Sequence, residues 1–275
     1  MKYKLIAVDM DGTLLNDRKI ITDYNIVRIR KAVELGVKFV LCSGRMPGGI
    51  RNYAEAIAKN EPIICCNGAV ILDERGQIMY SSHISNKSML EVVDILREKK
   101  DTYYHFYDED TIYTEQFNSY MNEFYKFNRR LDRKFRSEIR IIVDTKKFIQ
   151  QSGRYVNKLV VVDDDNDYLM ELREKLEKVS GIEVTRSNVD NIEITNEGIS
   201  KGYGLNILSG YYNIPLEECI SVGNDENDIS MIKISGVGAA VDNAVKTVKN
   251  CADYVTLKDN NNGAVGEIID KFILN

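Results

Sequence analysis

Apolar residues arrive in short runs of four or five, separated by longer stretches with the three-and-four spacing of helix faces. Leu5-Ile6-Ala7-Val8 is the first such run, and residues 4–8 read as a buried strand. Residues 22–35 carry helical spacing and stop at Gly36, a residue that readily takes the left-handed turn after a helix. Residues 37–41 form a second apolar run, ending at Cys42-Ser43-Gly44-Arg45. A helix over residues 50–59 and a strand over 62–66, broken at Asn67-Gly68, follow. Strand–helix–strand repetition with short connections predicts a parallel sheet covered on both faces.

Between about residues 83 and 190 the rhythm changes to helix, several strands and another helix. Residues 103–107, 111–114, 139–143 and 158–162 read as strands, 168–179 as a helix and 182–185 as a further strand. Strands in near succession imply antiparallel pairing. Composition shifts with the pattern, since 11 of the 24 Tyr and Phe residues lie between Tyr103 and Phe135. The first rhythm returns with residues 191–195, a helix from Lys201 to about Tyr211, a strand over 219–222 ending at Gly223, a helix near Asp228 and a final helix over 264–272. The expected fold class is therefore α/β, a doubly wound parallel-sheet (Rossmann-like) core from residues 1–82 and 191–275. An α+β domain is inserted over 83–190. No repeat or low-complexity segment is present, and only three prolines occur.

The bulk numbers remove several function classes. A chain of 275 residues with 44% hydrophobic and 29% charged residues has the balance of a soluble globular protein. Its net charge of −5 offers no basic field for nucleic acid or an anionic membrane. No apolar run approaches the roughly 18 residues that a bilayer span needs. The N-terminal residues lead straight into a strand without the apolar core of a signal peptide. Five cysteines, Cys42, Cys65, Cys66, Cys219 and Cys251, are odd in number, and with only His83 and His105 available neither a disulfide framework nor a zinc site is indicated. A reducing cytoplasm is the expected home.

The candidate chemistry starts at Asp9-Met10-Asp11-Gly12-Thr13, at the end of the first strand. Side chains two apart on a strand point the same way, so Asp9 and Asp11 are expected to project together. Two close carboxylates repel unless a cation or proton holds them. A hard divalent cation with oxygen ligands fits, and Mg²⁺ fits best beside phosphate. In doubly wound sheets ligands gather outside the carboxyl ends of the strands. Three more strand ends carry suggestive residues: Ser43-Gly44-Arg45, Asn67-Gly68-Ala69 and Gly223-Asn224-Asp225-Glu226-Asn227-Asp228. Lys201 adds a cation at the start of a helix that Ser200 can cap. Together they offer carboxylates for a metal, a hydroxyl and backbone N–H groups for phosphate, and an ammonium against the same charge. No Walker-type or Gly-x-Gly-x-x-Gly loop is present, and two histidines leave no plausible Ser/His/Asp set.

These five motifs, in order and around a long insertion, resemble the haloacid-dehalogenase superfamily phosphatases of the Cof-type subfamily, whose large α/β cap follows the second core motif. The resemblance covers essentially the whole chain. It implies that Asp9 is a nucleophile forming an aspartyl-phosphate. Asp11 would protonate the leaving alcohol and then deprotonate the attacking water, contacting Mg²⁺ through its main-chain carbonyl. Ser43 would donate to a phosphoryl oxygen, and Lys201 would offset charge on the nucleophile and transferring group. Met10, Gly12, Gly44, Arg45, Asn67 and Asn227 are implied in phosphate or substrate binding, and Asp9, Asp11, Asn224, Asp225 and Asp228 in the metal site. Relatives usually read Gly-Asp-x-x-Asn-Asp in the last motif, so Asn224 occupies the position of a direct carboxylate ligand; either its side-chain oxygen or a shifted Asp225 would serve. The implied activity is Mg²⁺-dependent hydrolysis of a small phosphorylated metabolite by a monomer or homodimer. The alternatives are phosphoryl transfer on the same fold and a non-catalytic sensor of a phosphorylated ligand. The basic stretch over 129–136 reads as a solvated face that could steer an anion, and the aromatic segment as core of the insertion.

Overall fold

The protein is described here by a computed structural model covering residues 2–151 and 154–275. Its first half-unit runs β1 (Leu5–Val8), α1 (Asp23–Glu34), β2 (Lys38–Cys42), α2 (Arg51–Ile57), β3 (Ile63–Cys65), β4 (Val70–Leu72) and β5 (Ile78–Ser81). All four residues of β1 are buried because both faces of the strand are covered. Ile6 and Val8 pack into the cluster that holds Ile29 and Ala32 of α1, while Leu5 and Ala7 pack on the opposite side. The Thr22 hydroxyl accepts from Asn25 N and caps α1, which ends before Gly36 at φ 87°.

The inserted unit runs α3 (Asn86–Leu96), β6 (Tyr103–Asp108), β7 (Thr111–Thr114), α4 (Ser119–Arg130), β8 (Glu138–Ile141), α5 (Thr145–Ile149), β9 (Lys158–Val162), α6 (Asn166–Leu176), β10 (Ile182–Thr185) and β11 (Asn191–Asn196). Its strands lie in the order β10-β11-β9-β6-β7-β8. Every neighbour pair is antiparallel except β7 and β8. One face packs on α3, α5 and α6, burying Phe106, Leu159, Val161, Ile192 and Ile194 with Val92, Leu96, Leu172 and Leu176. The alternate residues Tyr103 and Tyr107 turn instead to α4 and to the first unit. The strand over 191–196, expected to reopen the core, is thus a correction: β11 pairs with β9 and β10, and the core resumes only after it. Its alternation explains why. Ile192 and Ile194 belong to the insertion's hydrophobic cluster, so the strand must stay with that sheet.

The chain then returns through α7 (Lys201–Tyr212), β12 (Cys219–Gly223), α8 (Ile229–Ile234), β13 (Val237–Ala240), α9 (Lys246–Cys251), β14 (Tyr254–Val255) and α10 (Ala264–Ile269). The first sheet has the order β14-β13-β12-β1-β2-β3-β4-β5, parallel from β14 to β3 and antiparallel beyond. From β1 the chain winds outward one way through β2 and β3, and after the insertion the other way through β12 and β13. That reversal makes the carboxyl ends of β1 and β12 a topological switch point. Among the described residues no helix is long and apolar enough to cross a membrane, and all five cysteines are free.

The inserted sheet is seated on the first unit. Arg173 of α6 grips Glu226 through two nitrogens at 2.7 and 2.8 Å. Asp110 accepts from Gly48 N at 2.8 Å and pairs with Arg51, and Lys134 reaches Glu55 at 2.8 Å. Apart from that lysine's pairing, the basic stretch is exposed as expected.

Candidate active site

β1 stops at Val8, and Asp9 N is still tied to Val222 O of β12 at 2.9 Å. The chain then doubles back, with Leu14 N and Leu15 N donating to Met10 O at 3.1 and 2.9 Å and Gly12 at φ 80°. The turn overturns the expectation that Asp9 and Asp11 project side by side. The strand periodicity ends with β1, and the two carboxylates diverge. Asp9 is 5% exposed and meets Lys201 Nζ at 2.6 Å. Asp11 instead takes a two-pronged contact from Arg45 at 2.6 and 2.7 Å and a third from Lys19 at 2.8 Å. The Met10 side chain lies in the core.

Lys201 opens α7 behind the Ser200 cap, which accepts from Tyr203 N at 3.1 Å, and its side chain is fully buried. Its ammonium bridges Asp9 and Asp228, each at 2.6 Å. Asp228 is committed on both oxygens: Oδ1 to Lys201, Oδ2 to the backbone N–H groups of Asn224 and Asp225 at 2.8 and 3.1 Å. It holds the loop in shape, and so departs from its expected place among direct metal ligands. Asp225 Oδ1 accepts from Glu226 N at 2.7 Å and caps the short turn Glu226–Asp228.

Asn224 is the member of that loop that reaches Asp9. One terminal atom of its carboxamide lies 3.0 Å from Asp9 Oδ2, 2.9 Å from the Asp11 carbonyl oxygen and 2.7 Å from Thr13 Oγ1. With the NH₂ in that place the amide donates to the other oxygens. With the oxygen there, carboxylate, carbonyl and amide oxygens form one face that a hard cation satisfies. Gly12 makes room, because a Cβ on it would lie 2.8 Å from the Asn224 side chain. Among the described residues no three His, Cys, Asp or Glu side chains form a metal site, so this donor set relies on a carbonyl and an amide.

Electrostatics separates the two carboxylates further. Burial, aided by Asp228, pushes Asp9 above the ordinary aspartate range against the pull of Lys201. Burial works the same way at Asp11, but Arg45 and then Lys19 override it and hold that carboxyl well below the usual range. The Lys201 ammonium is disfavoured by burial yet held firmly protonated by Asp228 and Asp9.

The second and third strand ends complete the rim. Ser43 is buried, and its Oγ accepts from Arg45 N at 3.2 Å. Arg45 also donates to Gly49 O at 3.2 Å and lies over the rings of Tyr53 and Phe127. Asn67 sits at φ 57°, its Oδ1 accepting from Asn227 at 3.1 Å and its Nδ2 donating to Glu193 Oε2 at 2.6 Å. Gly68 is required where it stands: at φ 97° a Cβ would meet Ser200 O at 2.3 Å. A cavity of about 590 Å³ between α6 and β10 of the insertion and the starts of α7 and α8 reaches Lys201, Asn67 and Asn227.

Residues 6–269 match the haloacid dehalogenase-like hydrolases. The chain belongs to that family. Phosphatase YwpJ of Bacillus subtilis is 31% identical over 94% of this chain and 96% of its own. The 5-amino-6-(5-phospho-D-ribitylamino)uracil phosphatase YcsE of the same organism is 30% identical over 92% and 89%. A solved haloacid dehalogenase-like hydrolase from B. subtilis superposes with a TM-score of 0.87 at 26% identity, covering 98% of this chain and all of that one.

This haloacid dehalogenase-like hydrolase is accordingly a phosphatase with a Rossmann-like α/β fold, acting on phosphorylated substrates. Of the residues singled out in its sequence, the fold brings Asp9, Lys201, Asn224, Asp228 and the Asp11 carbonyl together, and Ser43, Gly44, Asn67 and Asn227 around a second cluster. The Asp11 side chain and Arg45 pair off at the mouth. Three participants lacked any sequence motif: Lys19, Lys158 and Glu193. Only the charged Glu193, isolated between Ile192 and Ile194 in a strand pattern, carried a visible signal.

Proposed function

We propose that the chain is a Mg²⁺-dependent phosphatase that hydrolyses small phosphomonoesters through an aspartyl-phosphate on Asp9. The observation that carries this reading is the Lys201 ammonium at 2.6 Å from both Asp9 and Asp228, beside the Asp9 carboxylate, the Asp11 carbonyl and the Asn224 carboxamide. Those three groups would hold the cation. Bound there, Mg²⁺ would relieve the repulsion between Asp9 and the phosphate dianion and stabilise charge on the transferring oxygens.

In the first displacement an Asp9 oxygen bonds to phosphorus as the bond to the ester oxygen breaks. Lys201 draws Asp9 toward its ionised form, against the burial and the Asp228 charge that raise its pKa. The Ser43 hydroxyl, with its oxygen already occupied by Arg45 N, has its proton free for a phosphoryl oxygen. The departing alkoxide takes a proton from Asp11; in the second displacement water attacks the acyl-phosphate phosphorus and returns a proton to Asp11. Paired with Arg45 and Lys19, Asp11 rests as a carboxylate turned from Asp9. It therefore acts as an acid only once the phosphate dianion has drawn Arg45 away and the freed carboxylate has taken a proton from solvent. The second displacement, in which the phosphorus–Asp9 oxygen bond breaks, restores that proton.

The core of 1–82 with the returning chain would supply this chemistry, and the insertion would act as a cap that selects the leaving group. The substrate would be a small phosphorylated metabolite, for instance a sugar phosphate or a flavin or vitamin precursor; the ribitylamino-uracil phosphate named for YcsE is one to assay. Five free cysteines favour a reducing compartment such as the cytoplasm. The direct test is Asp9→Asn with p-nitrophenyl phosphate and Mg²⁺, where a loss of about 10⁴-fold is expected. Turnover retained above about one percent of wild type would remove Asp9 from the nucleophile role. Phosphate release with no added acceptor separates hydrolysis from transfer.

A further inference from the structure

The inserted unit contributes a buried ion pair, and it touches the phosphate-side turn of the core. Lys158 of β9 and Glu193 of β11 meet at 2.7 Å with side chains 2% and 6% exposed. Burying two charges is costly, and apolar residues of similar size commonly serve stability as well or better, so stability alone is a weak reason for the pair. The other face of the same strands holds the insertion's own hydrophobic core, leaving this face to meet the first unit.

The contacts run directly into the motifs. Lys158 Nζ donates to the Gly44 carbonyl at 2.8 Å. That carbonyl belongs to the Gly44–Arg45 peptide, whose N–H donates to Ser43 Oγ at 3.2 Å. Glu193 Oε2 accepts from Asn67 Nδ2 at 2.6 Å, and Oε1 accepts from Ser187 Oγ at 2.9 Å. Asn67 in turn accepts from Asn227. Gly44 is enclosed by this set: a Cβ on it would lie 2.8 Å from Lys158 Nζ, 3.0 Å from Asn67 Oδ1 and 3.2 Å from Glu193 Oε2.

We propose that Lys158 and Glu193 are positioning residues, carried by the insertion, that complete the Ser43-Gly44-Arg45 turn when the two units dock. Lys158 fixes the plane of the Gly44–Arg45 peptide, and its N–H then holds the Ser43 oxygen so that the hydroxyl proton points at phosphate. Glu193 fixes Lys158 and Asn67 together. Docking of the insertion thereby couples to readiness of the phosphate site. This rests on the reading that Ser43 donates to the phosphoryl group.

The test compares wild type with Lys158→Met, Glu193→Gln, the double variant and Lys158→Arg. Readouts are kcat and KM for one phosphomonoester, inhibition by inorganic phosphate, and thermal unfolding. A pair that merely neutralises itself would recover in the double variant, which leaves no lone buried charge. Positioning predicts that the double variant unfolds cooperatively yet keeps kcat/KM about 10²-fold down, as a displaced catalytic group does, with weaker inhibition by phosphate and partial rescue by Lys158→Arg. Wild-type kcat/KM in the double variant would overturn the proposal. Should the double variant not fold, Lys158→Arg with Glu193→Asp replaces it, and unchanged kinetics there overturns the proposal equally. Absence of phosphate release by wild type would instead defeat the hydrolase reading; phosphate titration by calorimetry then decides, equal affinity of wild type and double variant counting against positioning.

Discussion

Asn224 puts a neutral amide at the point of the acidic loop that reaches Asp9. An amide oxygen can ligate a hard cation but supplies none of the charge that binds it tightly. Asn224→Asp should therefore lower the Mg²⁺ concentration for half-maximal turnover, measured by metal titration of phosphate release; an unchanged midpoint would show that another group, Asp225 foremost, already serves. Lys19 and Arg45 also hold ionised the Asp11 carboxyl, the group proposed to deliver a proton. Removing Lys19 raises the Asp11 pKa, so more of it is protonated at any given pH. The alkaline fall of kcat should then move to higher pH in Lys19→Met, and a profile superimposable on wild type would exclude Asp11 as the limiting proton donor.

At the scale of the element, period-two alternation sorts the insertion's strands into a structural and a site-facing side. On β6, Tyr104 and Phe106 join the insertion's core, while Tyr103, His105 and Tyr107 face the other way. His105 is 2% exposed, with Nε2 2.9 Å from the Tyr107 hydroxyl and Nδ1 unpartnered. Burial, reinforced by the nearby Lys158 ammonium, lowers its pKa from 6.5 to about 3. Between those values the unfolded chain binds a proton that the folded chain refuses, so stability is full above 6.5 and drains as pH falls toward 3. Two units below 6.5, at pH 4.5, the loss from this one group is about 2–3 kcal/mol. Urea unfolding at pH 7 and 4.5 should show that much less acid sensitivity in His105→Gln than in wild type. Equal losses would mean that other groups govern acid unfolding.

Across the whole molecule, the site is shared between a core that carries the reacting groups and an insertion docked over them. Arg173–Glu226 ties α6 to the acidic loop with both side chains partly exposed. A pair of that kind contributes at most about 1 kcal/mol, a factor of roughly five in an equilibrium. Arg173→Met should accordingly raise KM for a small phosphoester by no more than about fivefold, with added NaCl mimicking the effect on wild type. A large fall in kcat would instead show that the acidic loop depends on Arg173 for its shape.

Local order along the chain determined much of this protein. Unbroken apolar runs marked β1, β2 and β12 as strands buried on both faces, and capping residues such as Thr22 and Ser200 fixed where α1 and α7 begin, because both signals act between near neighbours. The motif residues at those strand ends likewise announced phosphate chemistry before any coordinate. The α4 helix does carry a helical signal, Met121, Phe124 and Phe127 at three-residue spacing behind the Asn118 cap, but the aromatic composition of the segment masks it. Tertiary structure alone decided that Asp9 and Asp11 part company, that Asn224 rather than Asp225 reaches Asp9, and that β11 belongs to the insertion. It alone also joined Lys158 to Gly44, across 114 residues of sequence. Contacts between groups so far apart depend on how two sheets dock, and no spacing in a linear chain encodes that distance.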